Sequence, residues 1–472
     1  MTYETVIGLE VHLQLKTESK AFCGCSTDFG APPNTQVCPV CLGFPGSLPV
    51  LNRQALILAA KVAISLNCQI AKLIRFDRKN YYYPDLPKAY QISQYSQPLS
   101  QHGCLPVLVD GKEKRIKITR VHLEEDTGKL FHQSSYSLID FNRCGIPLLE
   151  IVSEPDINSP DEAYMYLRSL KSVLEYIDVS DCNMEEGSLR CDANISIRKA
   201  GSKELGVKTE IKNMNSFRAV KTALEYEEKR QIESLEKGER IVQETRLYDA
   251  DSGITESMRS KEEAHDYRYF PEPDLVPFNF EDAFLKDIEN RMPELPLALK
   301  KRLMAEYSIS DYDARCIVGD KNMALYFEKC VSIYKKPKEI ANWLMGDISA
   351  YIKEHDLTIN DLDLKTEHFV GMLKMIDSGL ISGKIAKSLL IDMIQTKKDP
   401  CALVKEKGLE QISDEGEIEN IVKEVILENP KSVGDLKSGK ENAIMFLVGK
   451  VMAKTKGKAN PKKVNEMLRK KI

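Results

Sequence analysis

The spacing of apolar residues changes period once along this chain, and that change restricts its fold more than any other feature. Up to about Phe280, apolar and polar residues alternate over short stretches broken by turns; from Pro296 onward the apolar positions recur at helical spacing with no further strand pattern. The segment ETVIGLEVHLQLK (4–16) sets Val11, Leu13 and Leu15 against Glu10, His12 and Gln14, the period of a half-buried strand. The same alternation runs through KRIKITRVHLE (114–124), SLRCDANISIR (188–198), VKTEIKN (207–213) and ETRLYDADSGITESMRS (244–260). In the last of these, Asp251, Ser252 and Gly253 signal a hairpin turn. Helical patterns over 54–65, 161–176 and 218–236 each follow a capping residue, among them Ser159 and Ser216. The stretch PEPDLVPF (271–278) then ends all periodicity.

These patterns predict an α+β chain in three parts. A large domain built on a mixed or antiparallel sheet spans 1–292, an all-α domain spans 293–405, and a small α-helical tail spans 406–472. The length of 472 residues fits two to four domains, and a mean hydropathy of −0.33 places the chain among globular proteins. No apolar run approaches the roughly 20 residues a bilayer crossing needs, and Glu4 interrupts the place where a cationic leader would begin. A cytoplasmic protein with no membrane partner is the expectation.

The formal charge of −4 hides an uneven distribution. Residues 431–472 carry +9 and everything before them −13. Such a terminal block is either a solvated helix face or a surface for a phosphate backbone. Lys450, Lys454 and Lys458 follow i, i+4 spacing on a helix whose Ile444, Leu447, Val448 and Val451 face inward, so these three are the candidate cations for such a backbone.

Four of the twelve cysteines, Cys23, Cys25, Cys38 and Cys41, lie together among Gly24, Gly30, Pro39 and Gly43. Two thiol pairs on tight knuckles can close a tetrahedron around Zn²⁺ with no open position, which makes a structural centre; an accidental grouping or a redox pair are the alternatives. The other eight cysteines are scattered and read as small buried hydrophobes.

Carboxylates gather on the polar faces of several strands. Glu10 and His12 point one way, Asp192 lies beside Arg190 and Asn194, and Glu210 lies between Lys208 and Lys212; Glu124, Glu125, Asp126 and Glu150 add to them. The wet face of a sheet would give the same pattern on any one strand. Acids converging from four or five strands, interleaved with Arg and Lys, fit a cradle for Mg²⁺ and phosphates, and the softer His12 makes Mn²⁺ a second candidate. Between the strands, residues 76–98, with Arg75 just before them, interleave Arg78, Lys79 and Lys88 with Tyr81, Tyr82, Tyr83, Tyr90 and Tyr95. Such interleaving either packs as a loop or grips an RNA end. There is no G-x-S-x-G and no G-x-G-x-x-G, and the run from Gly434 to Lys440 is followed by Glu441 where a phosphate loop needs Ser or Thr.

Nine segments in order, ETVIGLEVH, FDRKNYYYPDLPKAYQISQ, RVHLEEDTGK, PLLEIVSEPDI, MEEGSLRCDANIS, TEIKNMNSF, DYRYFPEPDLVP, NWLMGDI and FLVGKVMAKTKGKANPKKVNEML, run from Glu4 to the last helix. Together they resemble the B-subunit family of the tRNA-dependent amidotransferases (GatB). The resemblance implies a catalytic cradle, a helical domain and a tail that contacts tRNA. It also implies a reaction. ATP phosphorylates the side-chain carboxylate of misacylated Glu-tRNA(Gln) or Asp-tRNA(Asn), and ammonia displaces the phosphate to leave the amide. An amidase-family A subunit would release that ammonia from glutamine, and a small C subunit would tie A to B. On the matching motifs, His12, Glu125 and Glu150 are expected as ligands of the catalytic Mg²⁺, with Glu10, Asp192 and Glu210 in or just behind the ligand set. Arg190, Lys79 and Tyr81 are expected at the substrate and its phosphates. A non-catalytic tRNA-binding scaffold, or a glutamine-synthetase-like ligase acting on a small acid, remains the alternative reading of the residues.

Overall fold

In a computed structural model, the described residues are 3–260, 267–409, 415–437, 441–455, 459 and 461–472. They form two compact units, Met1–Pro296 and Leu297–Ile472. The first unit is built on nine strands: β1 (Tyr3–Gln14), β2 (Gln69–Ile70), β3 (Ser100–Val109), β4 (Lys112–Glu125), β5 (Pro147–Ser153), β6 (Leu189–Lys199), β7 (Thr209–Lys212), β8 (Glu244–Asp249) and β9 (Ile254–Ser260). Their order in the sheet is β9-β8-β7-β6-β1-β5-β4-β3-β2. Neighbours are antiparallel except β7 and β8. The mixed sheet expected from the alternation is therefore present, with β1 at its centre.

The odd-numbered residues of β1, Ile7 to Leu13, are fully buried. They belong to a core shared with helices α1 (Arg53–Ser65), α2 (Pro160–Tyr176) and α3 (Phe217–Glu236). Each helix starts where the sequence places a cap: Asn52 accepts from Gln54 and Ala55, Ser159 from Glu162, and Ser216 from Ala219. With one face sealed by helices, Glu10, His12 and Gln14 are left on the other. A small separate sheet of Asp77–Asn80, Tyr90–Ser93 and Phe270–Pro271 is flanked in sequence by Tyr81, Tyr95 and Tyr269, of which Tyr81 and Tyr269 approach the acids described below. One element departs from the sequence reading. A helix, Asp282–Asn290, forms before Pro296, with Ile288 as its buried anchor.

Among the described residues of the second unit, every regular element is a helix. It contains a five-residue π-helical turn, Leu344–Ile348, within the NWLMGDI segment. Residues 418–468 hold a core of their own, formed by Ile418, Val422 and Val425 with Ile444, Leu447, Val451, Val464 and Leu468.

Candidate functional site

The strand register itself assembles the site. His12 on β1 is paired with Arg190 on β6 and with Glu150 on β5, and Glu150 is paired with His122 on β4. Arg190, His12, Glu150 and His122 thus form one row across four strands. Glu124, two residues beyond His122, points to the same face. His12 Nε2 lies 3.6 Å from Glu150 and 3.9 Å from Glu124. His122 Nε2 lies 3.2 Å from Glu150 and 3.4 Å from Glu124. Ser93 Oγ donates to Glu124 at 3.0 Å, and Arg120 stands 3.5 Å from Glu150.

His12, Glu124 and Glu150 each offer a ligand atom within 4.8 Å of the others. One imidazole and two buried carboxylates suit a divalent cation of the Mg²⁺ or Mn²⁺ type. Without the cation the two histidines supply the positive charge. Burial opposes charge on His122, but Glu150 and Glu124 outweigh it and push its pKa up to about 9. The same contest leaves His12 above its ordinary value. Burial would raise Glu150 and Glu124 too, yet His122, joined by His12, holds both below the usual carboxylate range.

Glu125, expected beside His12 and Glu150, is not in this group. It leaves β4 on the opposite side of the pleat, where Lys88 pairs with its carboxylate and the Ile92 amide donates to it at 2.9 Å. Glu124 takes the position expected for it. Glu10, Asp192 and Glu210 form a neighbouring group. Lys212 Nζ lies 2.6 Å from Asp192 and 3.2 Å from Glu210, Asn194 donates to Glu10 at 2.9 Å, and Thr245 donates to Glu210 at 2.8 Å. Lys212 therefore holds the place where these acids would otherwise repel. Arg190 is aimed by Asp126, which it meets at 2.8 Å and which also accepts from Gln14.

A tyrosine wall faces the acids. Lys79 Nζ lies 4.8 Å from the Tyr267 ring and 5.7 Å from that of Tyr81. Tyr81 meets Tyr267 edge-on at 5.8 Å, Tyr267 meets Tyr269 at 6.0 Å, and Tyr269 stacks on Tyr95 at 4.2 Å. Burial, then the charge of Glu124, raises the Tyr81 hydroxyl; burial, then Glu124 and Glu150, raises that of Tyr269. The sequence reading named Tyr81 and missed Tyr267, Tyr269 and His122. His122 could have been found by stepping two residues back from Glu124, but nothing local joins Tyr267 and Tyr269 to residues 170 or more positions earlier.

The four cysteine sulfurs also lie within 4.8 Å of one another. Those of Cys38 and Cys41 are 3.9 Å apart, close to the edge of about 3.8 Å of a tetrahedron with metal–sulfur bonds of about 2.3 Å. The Cys38 amide donates to Cys41 Sγ at 3.2 Å. The knuckle sits hard against Lys88: at Gly43, with φ of +69°, a Cβ would stand 2.4 Å from Lys88 Cγ. Between knuckle and Glu125 is a cavity of about 110 Å³ bordered by Lys20, Cys23, Cys41 and Lys88.

In the tail, Lys450 lies 5.3 Å from the Phe446 ring and Lys454 pairs with Glu424 at 3.0 Å and Glu428 at 2.6 Å. Lys454 is thus partly neutralised by the helix Glu415–Glu428, and the expected stripe is not uniformly free. Lys458 lies outside the described residues. No described helix is long and apolar enough to cross a membrane.

Residues 5–286 match the family described as the GatB/GatE catalytic domain, and residues 325–472 match the GatB domain. The B subunits of several bacterial aspartyl/glutamyl-tRNA(Asn/Gln) amidotransferases are similar over the whole length. That of a Thermoanaerobacter species is 56% identical over 473 residues, covering 100% of both chains. That of Carboxydothermus hydrogenoformans is 55% identical over 475 residues, covering 100% of this chain and 99% of the relative. That of Thermodesulfovibrio yellowstonii is 54% identical over 469 residues, covering 99% of each.

Proposed function

This chain belongs to the GatB/GatE family, and on that premise we propose that it is the amidating subunit of a glutamine-hydrolysing, ATP-dependent aminoacyl-tRNA amidotransferase. The observation that carries the residue-level reading is the in-register row Arg190, His12, Glu150, His122 with Glu124 beside it. It gathers buried acids, two imidazoles and a guanidinium on one face, which suits transfer of a phosphoryl group.

The substrate is the side-chain carboxylate of Glu-tRNA(Gln), Asp-tRNA(Asn) or both. A carboxylate is a poor acyl donor. Transfer of the γ-phosphoryl group of ATP to it, with ADP leaving, creates an acyl phosphate; ammonia then attacks the carbonyl carbon and phosphate departs, leaving the amide. His12, Glu124 and Glu150 would hold Mg²⁺ or Mn²⁺, which when bound would neutralise charge on the phosphoryl oxygens. Arg190, held by Asp126, and Lys79, held against Tyr81 and Tyr267, face the phosphates. Glu10, Asp192 and Glu210 lie behind them and keep Lys212 in place. The tyrosine wall offers rings to the acylated end of the tRNA. Because ammonia is the nucleophile, no serine or cysteine of this chain needs to attack.

The ammonia comes from an amidase-family A subunit, with a small C subunit joining the two. Zn²⁺ at Cys23, Cys25, Cys38 and Cys41 is structural, since four thiolates leave no open position. The tail from 406 forms a separate domain after a helical domain over 293–405, and its cations, Lys450 and Lys458 with a weakened Lys454, contact the tRNA body through phosphates. Formation of Gln-tRNA and Asn-tRNA by the chain together with its two partners, with ATP and glutamine or ammonium, tests the reading. Amide formation that needs no ATP would refute it.

A further inference from the structure

Lys20 is among the largest fully buried side chains of the chain. Among the described residues no carboxylate comes within ion-pair distance of it. Its Nζ donates to the Gln36 carbonyl at 2.7 Å and the Phe141 carbonyl at 3.4 Å, and lies 3.8 Å from Cys41 Sγ. The nearby Glu125 already pairs with Lys88. A buried ammonium with only carbonyl dipoles is costly; such charges persist where an opposite charge stands beside them. The group at hand that can supply one is the cysteine cluster. Four thiolates around a divalent cation carry two negative charges in excess, and Cys41, the ligand that Lys20 meets, is itself buried.

We propose that Lys20 is the built-in counter-charge of the cysteine metal centre, a positioning residue that favours the metal-loaded, four-thiolate state. Its ammonium touches Cys41, the most buried of the four sulfurs' residues, and its two carbonyl bonds fix it there from both sides. This ties the loop at Gln36 and the loop at Phe141 to the charge of the centre and not only to its backbone. Groups that contact metal ligands in this way change metal affinity by roughly 10- to 100-fold when removed.

The inference rests on reading the four cysteines as a metal centre, and the experiment separates the two. Zn²⁺ affinity of the full chain is measured by competition with a chelator for the wild type, Lys20→Met, Lys20→Gln and Lys20→Arg, with melting temperatures taken with and without Zn²⁺. The neutral variants should bind Zn²⁺ about 10- to 100-fold more weakly, and Lys20→Arg, which keeps the charge, should recover part of the loss. A wild type that binds no Zn²⁺ refutes the metal centre itself. A wild type that binds it while the neutral variants bind equally well refutes only the role of Lys20. Neutral variants that melt lower by the same amount with and without Zn²⁺, or that fail to fold in both conditions, would reduce Lys20 to a tie between two carbonyls and overturn the proposal.

Discussion

His122 offers the sharpest quantitative prediction, because its charge depends wholly on its neighbours. It is fully buried between Glu124 and Glu150, which outweigh burial and raise its pKa from 6.5 to about 9. A group whose folded pKa exceeds its unfolded value contributes stability that is fully present below the unfolded pKa and is lost as pH rises through the folded one. For His122 the window runs from about 6.5 to about 9, and that rise corresponds to about 3 kcal/mol. The assay is hydrogen exchange of the β4 and β5 amides in metal-free protein between pH 6 and 10, comparing the wild type with His122→Asn. The stability difference between the two should be largest near pH 6 and shrink by about 3 kcal/mol by pH 10. Saturating Mg²⁺ should flatten the profile, since a cation among the acids takes the place of the imidazolium. A difference that stays constant across this range would show that His122 is not a charged partner of the two acids.

Further outcomes distinguish neighbouring residues. Glu124→Gln should raise the Mg²⁺ concentration needed for amidation by roughly 10- to 100-fold, read from activity against Mg²⁺. Glu125→Gln should instead strand the buried Lys88 and lower stability by about 3 to 5 kcal/mol in urea titration, with the Mg²⁺ requirement of surviving enzyme unchanged. Cys38→Ser should abolish stoichiometric Zn²⁺ in elemental analysis and lower the melting temperature more than it alters turnover. Removing residues 406–472 should raise KM for tRNA and flatten its salt dependence while sparing glutamine hydrolysis by the partner; an unchanged salt slope would show the basic block to be a solvated face.

The alternation in residues 4–16 was sufficient to give β1 and its two faces, because one face is sealed by helices and every second residue must be apolar. The caps at Ser159 and Ser216 likewise gave α2 and α3 to within a residue. The distinction between Glu124 and Glu125 was not legible. At the end of β4, His122, Leu123, Glu124, Glu125 and Asp126 are all buried, so alternation of polarity no longer reports which side a carboxylate takes. The helix over 282–290 escaped because Ile288 is its sole fully buried residue, too few to mark a period. The pairing of Lys454 with Glu424 and Glu428 also lies beyond local pattern, since it depends on which helix packs alongside. Tyr267 and Tyr269 join the site through contacts of long sequence separation, which no window of residues contains.

In the proposed reaction the β1 row activates the substrate carboxylate. Glu150 is the test, because it contacts both histidines of the row and belongs to neither the cysteine cluster nor the tail segment. Glu150→Gln keeps the size of the side chain and removes its charge. In the assembled enzyme supplied with ATP, Mg²⁺, Glu-tRNA(Gln) and ammonium in place of glutamine, this variant should form no Gln-tRNA, while glutamine hydrolysis by the partner, measured separately with glutamine, persists. Gln-tRNA formation at the wild-type rate would place the chemistry elsewhere.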